Sequence, residues 1–324
     1  MAELALTAAL SEYDRTNPLR TGDIRPDGID LRVLALPTAE IFYRMCHYQE
    51  FDASEMSMSA HTYLLGRGES PFVGMPVFLS RAFRHNAIYV NAEAGIEKPE
   101  DLNGKRIGIF QWGITASVWL LGTLAEEYGL DITSVEWVAE TESRVPMKLP
   151  EGVRLRFTEK GQNVSDMLER GEVDAALYLR VPESFTRNPS RVRRLFPNYK
   201  EVEINYYRRT GIHPMMHCVV LRRDIYVRAP WALRSIYKAL CEAKRHAQEL
   251  VAETARLTTV LPLLPSALDE VHQIFGDDYW PYGMERNHAA LDKFLQYAHD
   301  QGVAPRKLAV EELFSESVSD ETFI

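Results

Sequence analysis

The sequence predicts an α/β protein of two domains, on three observations. Short apolar runs of strand length alternate with helix-period stretches along much of the chain, the pattern of sheets flanked by helices. The 324 residues exceed the roughly 100–200 of one ordinary domain. Hydrophobic residues make up 46% of the chain, enough to fill more than one core.

Leu4 to Leu10 reads as the first strand and Ile29 to Leu36 as the second, with the polar segment Ser11 to Thr16 after the first. Pro37-Thr38 opens a helix through Ile41, Met45 and Tyr48. Phe51 to Ser59 reads as a short strand running into a Ser-rich turn, and Val73–Phe78 and Ala87–Val90 as further strands. Pro99 to Gly104 is turn chemistry before the buried strand Arg106–Phe110. Gly113-Ile114-Thr115 then turns into a helix whose Leu120, Leu121, Leu124 and Tyr128 keep helical spacing, with Gly129 ending it. Asn163–Arg170 reads as a helix closed by Gly171, and Val173–Leu179 as an alternating strand. Met216–Leu221 is the last strand. A long helix follows Pro230, and Leu291, Phe294, Leu295 and Ala298 mark another.

Composition excludes several partners. A net charge of −9 repels phosphate backbones and anionic lipid, so no nucleic acid and no membrane is expected as a partner. The apolar patch near the N-terminus is short and lacks preceding Lys or Arg, so a cytoplasmic location is expected. Three cysteines with no close pair point to reduced thiols and to neither a disulfide framework nor a Cys-rich zinc site. Locally the charge reverses. Between Arg180 and Arg209 eight Lys or Arg face three Glu, which suits a solvated patch or a homo-oligomer contact, and at its ends a small anion.

Strand, Gly-containing loop and helix start at residues 106–117 form a potential anion site, because the first helical N–H groups lack partners. The blocks 99–108 (Pro-Glu-Asp-Leu-Asn-Gly-Lys-Arg-Ile-Gly), 113–117 (Gly-Ile-Thr-Ala-Ser) and 171–176 (Gly-Glu-Val-Asp-Ala-Ala) resemble the type II periplasmic-binding-protein-like fold. That resemblance implies two lobes, each a mixed sheet flanked by helices, with a ligand cleft between them. It implies a discontinuous domain I (1–86 plus 217–324), an inserted domain II (87–216), and hinge crossings near 84–89 and 211–219.

Longer blocks narrow the resemblance. Residues 51–59 (Phe-Asp-Ala-Ser-Glu-Met-Ser-Met-Ser), 76–86, 191–197, 206–217 and 276–283 (Gly-Asp-Asp-Tyr-Trp-Pro-Tyr-Gly) resemble the 4,5-dihydroxyphthalate decarboxylase family over nearly the whole chain. The family implies a carboxy-lyase of aromatic-compound degradation acting on a hydroxylated aromatic dicarboxylate. Ala60-His61 and Phe110 to Gly113 depart from the family pattern, which keeps a related aromatic acid open as substrate. A solute-binding protein or sensor for a small anionic or aromatic acid is the alternative, since such a cleft serves either purpose.

Removing CO₂ from such an acid requires a hydroxyl that donates electron density, a general acid for the carbon bearing the carboxylate, and exclusion of water. His85 and His217 stand at the hinge crossings and, with Glu55, are the expected catalytic groups. No organic cofactor is needed. A divalent metal held by Glu55, His85 and His217 is an open possibility. Ser57 and Ser59 are expected to touch substrate, and His61 and His213 to set its identity. Arg81, Arg84, Arg180 and Arg209 are expected to clamp carboxylates. Thr115 and Ser117 would add donors, and Trp112 and Tyr178 would stack on the ring.

Overall fold

Two sheets divide the eleven strands found among the residues that the computed structural model describes, 3–68, 70–143 and 145–318. The chain first lays down β1 (Leu4–Leu10), β2 (Ile29–Ala35), β3 (Ala53–Ser57) and β4 (Phe72–Arg81). Next come β5 (Ile88–Asn91), β6 (Arg106–Ile109), β7 (Glu136–Ala139), β8 (Arg154–Phe157), β9 (Ala175–Leu177) and β10 (Val192–Arg194). The last strand, β11 (Met215–Arg222), returns to the first sheet, whose order is β2-β1-β3-β11-β4. The second sheet runs β10-β5-β9-β6-β7-β8. Both are mixed: β11 lies antiparallel to β3 and β4, and β5 antiparallel to β9 and β10.

The chain passes from the first sheet to the second over residues 82–87. It returns before Met215, so Met215 and Met216 belong to the first sheet rather than to the inserted segment. Helices of the expected ranges flank both sheets, among them Thr38–Tyr48, Thr115–Tyr128 and Pro230–Ala252. Gly129 and Gly171 end two of them in left-handed conformations, with φ of 67° and 74°.

The Ser-rich segment after β3 is not a turn. Met58–Gly66 is a helix, entered directly from the strand. Met58, Ser59, His61, Thr62 and Tyr63 are all buried in it, so no polar face marks its period in the sequence. β7, β8 and β10 also escape the sequence reading, as do the helices Tyr199–Thr210 and Leu264–Phe275. These strands are three or four residues long, and β8 is largely exposed, which leaves little apolar signal.

Helix Thr115–Tyr128 joins the lobes. Val118 and Trp119 pack into the core of the first sheet, whereas Leu120, Leu121 and Leu124 pack into that of the second. Trp119 Nε1 donates to the Met215 carbonyl at 2.8 Å, and Gln301 Nε2 donates to the Val118 carbonyl at 2.9 Å. Among the described residues no helix is long and apolar enough to cross a membrane.

Candidate active site

Side chains just beyond the carboxyl ends of parallel strands converge between the sheets. Ser57 ends β3, Phe110 follows β6, Glu140 follows β7 and Tyr178 follows β9. In open α/β sheets the crevice outside those strand ends is where ligands bind. A cavity of about 460 Å³ lies there, within the range of small-molecule sites. Its walls include Ser57, Ser59 and His217 from the first lobe and Thr115, Glu140 and Tyr178 from the second.

His217 reaches the cavity from β11, opposite Ser57 of β3 and Ser80 of β4. Register shifts on both sides of His217 in the β11–β4 pairing mark a bulge, a device that re-aims a side chain. Its Nδ1 stands 2.6 Å from Glu55 Oε1. Glu55 sits two residues before Ser57 on the same face of β3 and is wholly buried. It also accepts from the Tyr13 hydroxyl at 2.8 Å and from the Ser11 N–H at 3.0 Å.

Burial pushes the Glu55 carboxyl up, but the bonds from His217, Tyr13 and Ser11 outweigh it and hold it below the ordinary range. An ionised Glu55 takes the Nδ1–H of the imidazole, which leaves Nε2 for a ligand. Phe42 packs edge-on against the ring with centroids 4.9 Å apart, restricting its rotation.

Beside His217 lies a hydroxyl cluster. Thr115 Oγ1 accepts the Ser59 N–H at 3.0 Å and lies 2.9 Å from Ser57 Oγ. Thr115 begins a helix of 14 residues whose N-cap, Ile114, offers no capping side chain. Gly113 to Ala116 line the cavity there, so the uncapped first turn faces it and favours an anion.

Two cations complete the walls. Arg84 is half-buried, its Nε buried without a hydrogen-bond partner among the described residues, and Arg180 stands exposed at the mouth. Burial lowers the Arg84 pKa, opposed by Glu203. On the second lobe Glu140 Oε1 accepts the Val164 N–H at 2.7 Å.

Comparison with known proteins matches this arrangement to a family. A 4,5-dihydroxyphthalate decarboxylase of Comamonas testosteroni is 35% identical over 320 residues, covering 97% of each chain. The chain belongs to the 4,5-dihydroxyphthalate decarboxylase family. A second member, from Pseudomonas putida, is 36% identical over 64% of this chain and 83% of its own. Residues 82–212 also match the NMT1/THI5-like family model. In fold, the chain is similar to the sulfonate-binding protein SsuA of Methylobacillus flagellatus (TM-score 0.59, 13% identity, 98% of this chain and 93% of that one). SsuA of Escherichia coli gives a TM-score of 0.54 at 14% identity, covering 96% and 92%. The two-lobed periplasmic-binding-protein-like fold expected from the sequence is thereby established.

Within this family fold the expected site residues separate into three groups. Ser57, Ser59, Arg84, Thr115, Tyr178, Arg180 and His217 line one cavity, with Glu55 directly behind His217. The second group supports the structure. Trp112 is buried, edge-on to Trp137, with its Nε1 donating to the Gln301 carbonyl at 3.1 Å, so it is a core residue and not a ring-stacking one. Ser117 Oγ donates to the Gln111 carbonyl at 2.8 Å and stabilises the loop rather than a ligand. Arg81 is buried and donates to the carbonyls of His213 and Pro281.

The third group faces elsewhere. His61 is fully buried with Nε2 at 2.7 Å from the Leu313 carbonyl, and burial lowers its pKa to about 4. His213 stacks on Phe83 at 4.7 Å and lines a separate cavity beside Phe275 and Trp280. Arg209 pairs with Glu127 on the exterior. His85 packs among Tyr128, Phe196 and Tyr206, away from His217, and burial lowers its pKa to about 4. The three-residue metal set of Glu55, His85 and His217 therefore does not assemble. For His85 and His213 the cause is shared: lying at a hinge crossing fixes neither the face nor the depth of a side chain.

Several lining residues went unforeseen, chiefly Phe42, His47 and Glu140. Glu140 had a usable signal, since it follows the short apolar run Trp137-Val138-Ala139 and so stands at a strand end. Phe42 and His47 carry no such signal, because their helix presents them only through tertiary packing.

Proposed function

We propose that the chain decarboxylates a hydroxylated aromatic dicarboxylate of the 4,5-dihydroxyphthalate class in the cavity between its lobes. The observation that carries this reading is His217, held by an ionised Glu55, at the wall of a cavity that also bears Arg84 and Arg180. The two arginines suit the carboxylates, and the hydroxyl cluster with the helix start at Thr115 suits a catechol edge and the phenolate formed there.

In this mechanism His217 Nε2 accepts the proton of a ring hydroxyl, and Glu55 stabilises the imidazolium. The phenolate donates electron density into the ring, and the carbon bearing one carboxylate takes up a proton. The carbon–carboxylate bond then breaks, CO₂ leaves, and the electron pair restores aromaticity. His217 returns its proton to the ring oxygen, so the net reaction consumes one proton per CO₂. The phenol supplies the electronic push, so no organic cofactor enters. A discontinuous first lobe with a second lobe inserted between residue 86 and Met215, a cytoplasmic location and self-association belong to the same reading. Exposed Leu257, Val260, Leu261 and Leu263 support self-association, which sizing by light scattering checks.

The test is direct. Purified protein incubated with 4,5-dihydroxyphthalate and related hydroxybenzoic acids is expected to release CO₂ stoichiometrically with product, and to do so after dialysis against a chelator. His217→Ala should lower turnover by about 10²–10⁴-fold while substrate still binds. Tight reversible binding of an acid by the wild-type chain without turnover would overturn the reading in favour of a solute-binding role.

A further inference from the structure

The chemistry above places two demands at opposite ends of one ring. The hydroxyl that pushes electrons stands para to the carbon that loses its carboxylate. A single side chain cannot take the proton at one end while delivering one at the other. A second acid across the cavity from His217 is therefore required, on the side where the carboxylates are held.

We infer that Glu140 is that group, the residue that protonates the ring carbon. It stands immediately after β7 on the second lobe, whereas His217 and Glu55 belong to the first. Its neighbours are those of the carboxylate end. Tyr178 and Arg180 follow β9 and line the same cavity. Oε1 accepts the Val164 N–H at 2.7 Å and the Tyr178 side chain also bonds the carboxyl, so the group is held in place at the cavity wall.

The electrostatic setting agrees. Burial raises the Glu140 pKa, and the Val164 N–H and Tyr178 only partly oppose it. Arg180, Glu183 and Asp166 act on Tyr178 from further out. Glu55 is drawn the opposite way by its three donors. Two carboxyl groups in opposed environments, one drawn down behind a base and one pushed up at the cavity wall, suit the acid–base pair the reaction needs.

The proton balance closes. The Glu140 carboxyl proton becomes the new ring hydrogen, the bond to the carboxylate carbon breaks to give CO₂, and Glu140 is left as carboxylate. Solvent reprotonates it before the next turnover.

This inference rests on the decarboxylase reading, and the test separates the two. Glu140→Gln and Glu140→Asp are assayed beside the wild type on 4,5-dihydroxyphthalate, with kcat and KM measured across pH. Glu140→Gln should lose at least about 100-fold in kcat with KM within about threefold, and Glu140→Asp should recover part of the loss. Wild-type kcat should fall as pH rises through the Glu140 titration, and that limb should vanish in the residual activity of Glu140→Gln. A Glu140→Gln variant with kcat near wild type and the same alkaline limb overturns the inference while leaving the decarboxylase reading intact, as does a loss confined to KM. If Glu140→Gln fails to fold by circular dichroism, Glu140→Asp decides through the alkaline limb, which should shift; an unmoved limb overturns the assignment. A wild type that binds the acid without releasing CO₂ defeats the decarboxylase reading, and the inference falls with it.

Discussion

Glu55 shows how one buried carboxylate organises a site. Three donors satisfy it, so the charge is retained inside the first lobe, where an unpaired one would be strongly disfavoured. Replacing it with Gln leaves a single good acceptor for three donors and removes the charge that stabilises an imidazolium. Glu55→Gln is expected to lower kcat by about 10²-fold or more while KM stays within a few-fold, as steady-state kinetics would show. Glu203 illustrates the reverse case. Burial pushes its carboxyl up to about 7, against the Asn86 and His85 N–H groups and Arg84. Its folded pKa is raised above the unfolded value, so the contribution of the protonated form is present below about pH 4.3 and lost as pH rises towards 7. Glu203→Gln should match wild-type stability near pH 4 and exceed it by about 1 kcal/mol at pH 8, allowing for solvent screening. Thermal melts at both pH values check this.

At the scale of elements, helix Thr115–Tyr128 is both wall and brace. Its first turn faces the cavity, and its middle packs against helix His288–Asp300 at Gly122, where an added Cβ would stand 2.2 Å from the Tyr297 ring. Alanine there would gain about 1 kcal/mol of helix propensity, but overpacking costs typically 1–3 kcal/mol. The clash wins because the opposing atoms are a ring held by its own hydroxyl on Glu126. Gly122→Ala should therefore unfold at a lower urea concentration than wild type, with unchanged m-value. Elements of this kind were the most legible in the sequence. The helix at 115–128, the strand before it and the Gly-containing turn between them follow from periodicity and glycine placement. Helix Met58–Gly66 was illegible because burial on every side erased the polar face that periodicity needs.

Across the whole molecule, the cavity draws walls from both lobes, so a ligand is held by the folded chain and not by the unfolded one. A bound acid at 100 times its Kd should add about 2.7 kcal/mol, or roughly 4 °C in Tm for a chain of this length. Arg180→Ala should shrink that shift by weakening binding, which differential scanning fluorimetry across ligand concentrations would measure. A Tm that ignores every hydroxybenzoic and phthalic acid would count against the cavity as their site. The same scale explains the charge. A total of −9 coexists with a cavity bearing Arg84 and Arg180, because repulsion of large polyanions says nothing about a few positioned guanidinium groups.

The sequence by itself determined the α/β alternation, the interleaved lobes of a family fold, the reaction class and the segments that meet at the cleft. These depend on local periodicity, turn chemistry and blocks of contiguous residues, all readable along one dimension. Only the tertiary structure decided which side of each segment faces the ligand. His217 turns toward the cavity with Glu55 behind it. His85 and His61 are buried, His213 is stacked on Phe83 away from the site, and Glu140 enters from the end of the short strand β7. The physical reason is that strand register, a bulge and the depth of burial are set by packing between distant segments, and none of these leaves a mark on the residues nearby in sequence.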